Sequence, residues 1–503
     1  MMKFTLNAVF VLSGKLEKDV NISRYIENSC KLLEKGAPKG KGAVIDEWTI
    51  RGNKLKIVIS SGRYVRPHDA VFRIKNFLSE EIGRRYRIGI REIIGNRYEI
   101  SFDIQKKPER NIKIPFVDEI EFKDKRCNIV LENLSEEFLK RNYVDRIINL
   151  IKEKIEQQSY GGKAEYHEII WESKRREHVW NKNPTEEMVK REWIKHRGRG
   201  QWIFGPIPTK IIRVMESIVE DELLKPMNFE EVIIPKAVTW DVWKRSGHAK
   251  SIYAEIYYLC PPRTRKPEFW QDIIDEYKIT GEIPLKKIKE RLDFPIGGVS
   301  YAQCPPLWPY FENRTLSIDE MPLKLFDRSG PSMRYESGGI HGIERVDEFH
   351  RIEIIWIGTK RQVREIHKEI IDRYKMIFNE ILEIEWRMAW VTPWFMAQEG
   401  LIGLADNKYE IGTVDFEAYL PYRGSREESE WLEFQNASNN GDKYTRGFNV
   451  KLSGGEELHS GCTGIGLERW LATFLSQKGM EPKRWPSEFR KRFGKMPRGI
   501  TLL

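Results

Sequence analysis

Two stretches of this chain carry side chains whose types and spacing could handle a phosphate. The first is Arg334-Tyr335-Glu336-Ser337-Gly338-Gly339, then Arg345-Val346-Asp347-Glu348-Phe349-His350-Arg351-Ile352-Glu353-Ile354-Ile355-Trp356. It reads as a strand, a glycine-containing loop and a returning strand. Residues two apart in a strand share a face. Arg334 and Glu336 therefore point one way, and Phe349, Arg351 and Glu353 share a face while Ile352 and Ile354 turn to a core. Such a face offers guanidinium forks that match phosphate oxygens, two carboxylates, and a ring able to stack under a purine. A cross-strand ion-pair ladder would explain the charges, but not Phe349 among them, nor glycines at the turn. The second stretch is Gly464-Ile465-Gly466-Leu467-Glu468-Arg469, running into the helical Trp470-Leu471-Ala472-Thr473-Phe474. Glycines at a strand-to-helix junction admit a close backbone approach. This run lacks the P-loop lysine and the dinucleotide-binding spacing, so alone it identifies nothing.

These residues need elements to hold them. From about Ile207 an amphipathic helix (Ile211, Ile212, Met215, Ile218, Val219) leads into a β-rich stretch, Phe229 to Ile234, stopped by Pro235. Residues 266–291 read as two helices broken at Gly281. A helix-turn-helix is available there, but a plain helical insertion is favoured, because nothing in the spacing demands DNA. Trp171 to Arg199 is charged and Trp-bearing, a connector docking on the next domain. The first 160 residues mix alternating strands (Lys54–Ile59, Tyr98–Ile104) with helices. One helix starts at Pro67, with Val71, Ile74, Leu78 and Ile82 on one face; another carries Val144, Ile147, Ile148, Ile151 and Ile155. That mixture predicts an α+β module.

The 503 residues suffice for two or three domains. No apolar run approaches the ~18 residues of a membrane helix, and no secretory signal is visible, so no membrane partner is expected. Five scattered cysteines without a CxxC pair indicate a reduced, cytoplasmic protein. The charge is unevenly spread. Residues 1–110 hold 23 Lys and Arg against 13 Asp and Glu, while the other 393 hold 62 of each. The entire excess of +10 therefore lies in the first fifth of the chain, as for a module that meets a polyanion.

Taken together, Pro235 after its helix and strand, the Arg-x-Glu loop with Phe349 downstream, and the closing Gly-x-Gly-x-x-Arg resemble motifs one, two and three of class II aminoacyl-tRNA synthetases. They occur in that family's order over residues 207–475. Glu433-Phe434-Gln435-Asn436-Ala437-Ser438-Asn439, with Asp442 and Arg446 beyond, looks like the corresponding run of the seryl branch. Asp415-Phe416-Glu417, Leu420-Pro421 and the Arg345…Phe349…Glu353 spacing fit the same branch. Two departures from ordinary seryl enzymes stand out. Residues 1–160 lack the sustained heptads of a coiled-coil arm, and Ala302-Gln303-Cys304-Pro305-Pro306 replaces the Thr-x-Glu serine-binding segment. Both departures match the atypical methanogen-type seryl-tRNA synthetases.

That resemblance implies an α+β fold. It comprises an N-terminal α+β tRNA-binding domain (1–165), a connector (166–206), and a class II catalytic domain on an antiparallel sheet flanked by helices (207–503), with the helical insertion at 266–291. It implies activation of L-serine with ATP and Mg²⁺, transfer to tRNA(Ser) with tRNA(Sec) as a further candidate, and a homodimer. Arg334 is expected at the α-phosphate, Arg345 and Arg469 at the β/γ end, Phe349 on adenine, and Glu433 on Mg²⁺, with Glu336 also at the ATP. Ala302, Arg334, Glu336, Trp394, Asn436 and Ser438 are expected around serine. The family's zinc ligands fall on Cys304, Glu353 and Cys462, one ion per subunit. Spacing alone favours buried, inert cysteines, the reading kept for Cys30, Cys127 and Cys260; the resemblance reverses it for Cys304 and Cys462. The alternatives are a threonyl-like zinc synthetase, whose histidine ligands find no counterpart here, a catalytically silent RNA-binding relative, or an amino acid:carrier-protein ligase.

Overall fold

The structure, a computed structural model, describes residues 2–16, 21–108, 111–159, 167–178, 180–336, 338–391 and 412–500. The chain forms two compact units, Met1–Ala164 and Glu165–Leu503.

The first unit is a six-stranded antiparallel sheet. Its order is Val44–Arg51, Lys54–Ser61, Lys3–Leu12, Ile90–Asp103, Arg126–Leu134, Glu119–Lys123. Period-two alternation drives it: Phe4, Leu6, Ala8 and Phe10 are buried with Leu55, Ile57 and Ile59 from the neighbouring strand. The helix Pro67–Tyr86 opens on a proline, which lacks only an N–H that the first turn leaves unpaired anyway. It closes at Arg87, whose left-handed conformation stops the ladder. Its Val71, Ile74, Leu78 and Ile82 recur every three or four residues and join the core, as do Val144, Ile147, Ile148, Ile151 and Ile155 of Tyr143–Ser159.

The second unit is built on a nine-stranded sheet, counted over the described residues. Its main order is Glu230–Glu231, Leu323–Asp327, Glu348–Thr359, Leu458–Gly466, Leu432–Gly441, Gly412–Ala418, Trp386–Val391, His167–Glu172, with Pro331–Met333 pairing beside Glu348–Thr359. All pairings are antiparallel except the short Glu230–Glu231 edge. In the central strand, Ile352, Ile354 and Trp356 sink into the main core with the helices Pro206–Val219, Lys360–Met376 and Leu467–Lys478. Ile355 and Ile357 belong to a smaller cluster with Cys304, Trp308 and Tyr444 on the other side. The Lys360–Met376 helix starts sharply because Thr359 and Gln362 form a reciprocal capping box.

Residues 167–204 do more than tether. His167–Glu172 is a strand of the nine-stranded sheet, paired with Trp386–Val391, and Ile194–Gly198 and Gln201–Phe204 form a hairpin. The helices Pro267–Thr280 and Leu285–Arg291 stand outside the cores, with Ile273 their one buried side chain. No described helix is long and apolar enough to cross a membrane.

Candidate active site

The open face of the second sheet floors a cavity of about 410 Å³. Alternation and register deliver its lining. Glu353 lies opposite Gly464, two residues from Cys462, and Cys462 lies opposite Ser438. One face thus collects Glu353, Cys462, Ser438, Asn436 and Asn440. Simple alternation would send Glu433 to the other face, three residues before Asn436. A bulge prevents that: Phe416 pairs with Gln435 but Glu417 with Glu433, so Phe434 is skipped and Glu433 turns into the cavity.

At one end of the cavity Cys304, Glu353 and Cys462 each offer a ligand atom, all within 4.8 Å of one another. It is the one such cluster among the described residues. The two sulfurs are 3.7 Å apart. Glu353 is fully buried, and neither of its oxygens accepts a hydrogen bond. Arg351 Nε is 2.6 Å from Oε2, an ion pair without hydrogen-bond alignment. Burial, partly offset by Arg351, pushes the Glu353 carboxyl up. Contact with Cys462 and burial hold the Cys304 thiol well above its ordinary range. Ligand groups whose ionisation burial and crowding oppose are what a divalent cation relieves, and two sulfurs favour a soft one such as zinc over magnesium. Each sulfur has a polar neighbour on its outer side: Asn440 Nδ2 donates to Cys462 Sγ at 3.3 Å, and the Tyr444 hydroxyl is 3.4 Å from Cys304 Sγ. Tyr444 is fixed by stacking against Trp308 and His248.

Towards the opening lie the cationic groups. Arg334 Nη2 is paired with Glu255 at 3.0 Å. Arg469, on the first turn of its helix, donates to the Glu433 and Glu344 carbonyls at 2.7 and 3.1 Å and approaches the Glu433 carboxylate at 3.4 Å. Phe349, Glu336, Ala302 and Glu433 line the same cavity. Arg345 does not line it. It stands half-exposed beside Glu430, 3.5 Å away. Trp394 lies outside the described residues.

Several residues that organise this end carry no signal in local sequence pattern. Buried Asp347 takes the Tyr257 hydroxyl, the Glu336 N–H at 3.0 Å and the Arg199 guanidinium at 3.0 Å, while its carbonyl accepts from Arg334 N at 2.8 Å. The Arg334–Glu336 loop is therefore held from the hairpin of residues 194–204, where Arg199 also packs over Tyr335. Glu344 binds Tyr422 and Arg423, and Glu468 accepts from His350 N and Nδ1. The Glu468 contact raises the His350 imidazole above its usual pKa.

Comparison with known proteins respects the same division. Residues 2–153 match a family described as a tRNA-binding domain, and residues 299–478 match the class II tRNA synthetase core domain of the G, H, P, S and T enzymes. Over its full length the chain is 53% identical to the full length of the type-2 serine–tRNA ligase of Methanothrix thermoacetophila, and 52% identical to that of Methanococcoides burtonii. A solved structure described as A. aeolicus tRNASec in complex with M. kandleri SerRS superposes with a TM-score of 0.87 at 29% identity. It covers 100% of this chain and 99% of its own.

Proposed function

The chain belongs to the type-2 serine–tRNA ligases, and we infer that its cavity activates L-serine with ATP and passes the seryl group to the 3′ end of tRNA(Ser). In the first step the serine carboxylate attacks the α-phosphate, forming seryl-adenylate and releasing pyrophosphate. In the second the terminal ribose hydroxyl of tRNA attacks the adenylate and AMP leaves. Neither step needs a covalent bond to the protein, so alignment and charge neutralisation carry catalysis.

Arg334 holds the α-phosphate in this reading. Its pairing with Glu255 keeps it poised at the cavity until the phosphate competes for it. Arg469 holds the outer phosphates, joined by Arg345 from the rim. Phe349 stacks on adenine, Glu336 fixes the ATP and the serine, and Glu433 takes the Mg²⁺ that enters with ATP. The observation that carries the reading is the convergence, in one cavity, of the Arg334 and Arg469 guanidinium groups with a Cys304–Glu353–Cys462 cluster. Those three residues would hold one zinc ion, which when bound supplies a Lewis-acid position for the unprotonated amino group of serine. Ala302, Asn436 and Ser438 surround the rest of the amino acid, with Trp394 as the proposed wall against larger side chains. The Ser438 hydroxyl shares a hydrogen bond of 2.7 Å with Thr413, which orients it for a substrate hydroxyl. A pocket of this kind rejects alanine because its own polar groups would be left unpaired.

The basic first unit (1–165 in the proposed division) binds tRNA. Because the M. kandleri neighbour was solved with tRNASec, tRNA(Sec) is proposed as a second acceptor. A cytoplasmic homodimer completes the reading; Ile233, 83% exposed beside the Glu230–Glu231 edge, is apolar surface that pairing would cover. Serine-dependent ATP–pyrophosphate exchange, then charging of purified tRNA(Ser) and tRNA(Sec), tests the function. Exchange that ignores serine would overturn it.

A further inference from the structure

The cluster of Cys304, Glu353 and Cys462 raises a question of charge. Two thiolates and a carboxylate outweigh a divalent cation by one negative charge, and Cys304 and Glu353 are buried where water cannot screen it. A cation built into the protein stands beside them. Arg351 is largely buried, its Nε lies 2.6 Å from Glu353 Oε2, and its Nη1 donates to the Tyr301 carbonyl at 3.1 Å. The guanidinium lies against the neighbouring strand, where a Cβ built on Gly464 would overlap it. Gly464 lies in extended strand, opposite Glu353, so no left-handed turn explains its lack of a side chain. The close approach of Arg351 does.

We propose that Arg351 is the positioning residue of the metal centre: it occupies one oxygen of Glu353, cancels the residual charge of the ligand set, and is seated there by Gly464. This rests on the zinc reading of the cluster. With Oε2 engaged by the guanidinium, Oε1 is the oxygen left for the ion, and the carboxylate is held to a single ligand atom. The first glycine of the Gly464-Ile465-Gly466 run thereby gains a task at the metal rather than at a phosphate.

The test is zinc affinity, measured on the full-length protein by competition with a chromogenic chelator and independently of catalysis. Arg351→Ala is expected to weaken zinc binding by roughly 10–100-fold, the usual cost of losing a group that orients a ligand. Arg351→Lys, which keeps the charge but not the fork, is expected to lose less. Gly464→Ala alters no ligand and keeps Arg351 in the sequence, yet it should reproduce much of the loss by lifting the guanidinium from its seat. Cobalt substitution gives a second readout: in Arg351→Ala the thiolate-to-cobalt bands should shift as Glu353 is freed, and in Arg351→Lys they should stay near the parent. Thermal melting of each variant establishes that it folds. Should Arg351→Ala fail to fold, the lysine and alanine variants at the two positions carry the test. A parent that holds zinc beside folded variants that hold it within twofold overturns the proposal alone. A parent without zinc overturns the zinc reading, and this proposal with it.

Discussion

At the scale of single residues the site makes separable demands. Cys304→Ala or Cys462→Ala should remove the metal and serine-dependent pyrophosphate exchange together, read by metal analysis and exchange on one preparation. Zinc retained in both variants would show that the ion sits elsewhere. Arg334→Ala and Arg469→Ala should leave the metal in place but slow exchange by about 10²–10³-fold, because in the proposed roles each would withdraw a charge from the phosphates in a partly dry site. Tyr444→Phe removes the hydroxyl 3.4 Å from Cys304 Sγ while keeping the ring stacked on Trp308. It should loosen zinc severalfold in chelator competition and leave the melting temperature close to the parent. Strand alternation made Phe349, Arg351 and Glu353 legible as one face, since a period of two is a local property of sequence. Glu255 and Asp347 were not legible. They act from far upstream of Arg334 and from inside the loop's own stem, and only the fold brings their oxygens to Arg334, Glu336 and Arg199.

At the scale of elements the helices followed from pattern, and the edges of the sheet did not. The buried faces of Pro67–Tyr86 and Tyr143–Ser159 recur at helical spacing, a signal contained within each helix's own residues. The bulge at Phe434 depends on register against Gly412–Ala418, so nothing in Glu433–Asn439 itself reveals which way Glu433 points. The expected β-rich run Phe229 to Ile234 shrinks to Glu230–Glu231, an edge pairing of two residues. Conversely His167–Glu172 gains its place from Trp386–Val391, and Glu385 clamps Arg176 and His178 just beyond that strand. Burial alone would raise the Glu385 carboxyl, but hydrogen bonds from Arg426, His178 and the Arg176 N–H outweigh it and bring it down to about 2. A depressed acid stabilises the fold above its unfolded pKa, near 4.5 here, and that stability is lost as pH falls through the folded value. The melting temperature of the second unit should therefore drop between pH 4.5 and about 2. Glu385→Gln should be less stable than the parent at neutral pH, by on the order of 2–3 kcal/mol, and should lose less on acidification. Identical acid profiles for the two proteins would remove Glu385 from the account.

At the scale of the molecule, the chain forms two units with separate cores, and the proposed function gives tRNA docking to the first and both chemical steps to the second. A chain beginning at Glu165 should retain serine-dependent exchange and lose tRNA charging, once calorimetry has shown that it melts cooperatively. Full charging by that fragment would refute the assignment of tRNA binding to the first unit. In the intact protein tRNA affinity should fall steeply with salt, because each phosphate neutralised releases counterions; a flat salt dependence would argue against a basic docking face. The same partition of charge has a colloidal side. Residues 165–503 carry 52 Lys and Arg against 52 Asp and Glu, so the catalytic unit by itself is electrically neutral near physiological pH. Neutral particles do not repel one another, and precipitation is easiest there. The excess positive charge of the first unit, besides its proposed role toward RNA, would thus keep assembled particles of the enzyme from coalescing in solution. Bound tRNA, by masking that charge, would shift this task to its own phosphates.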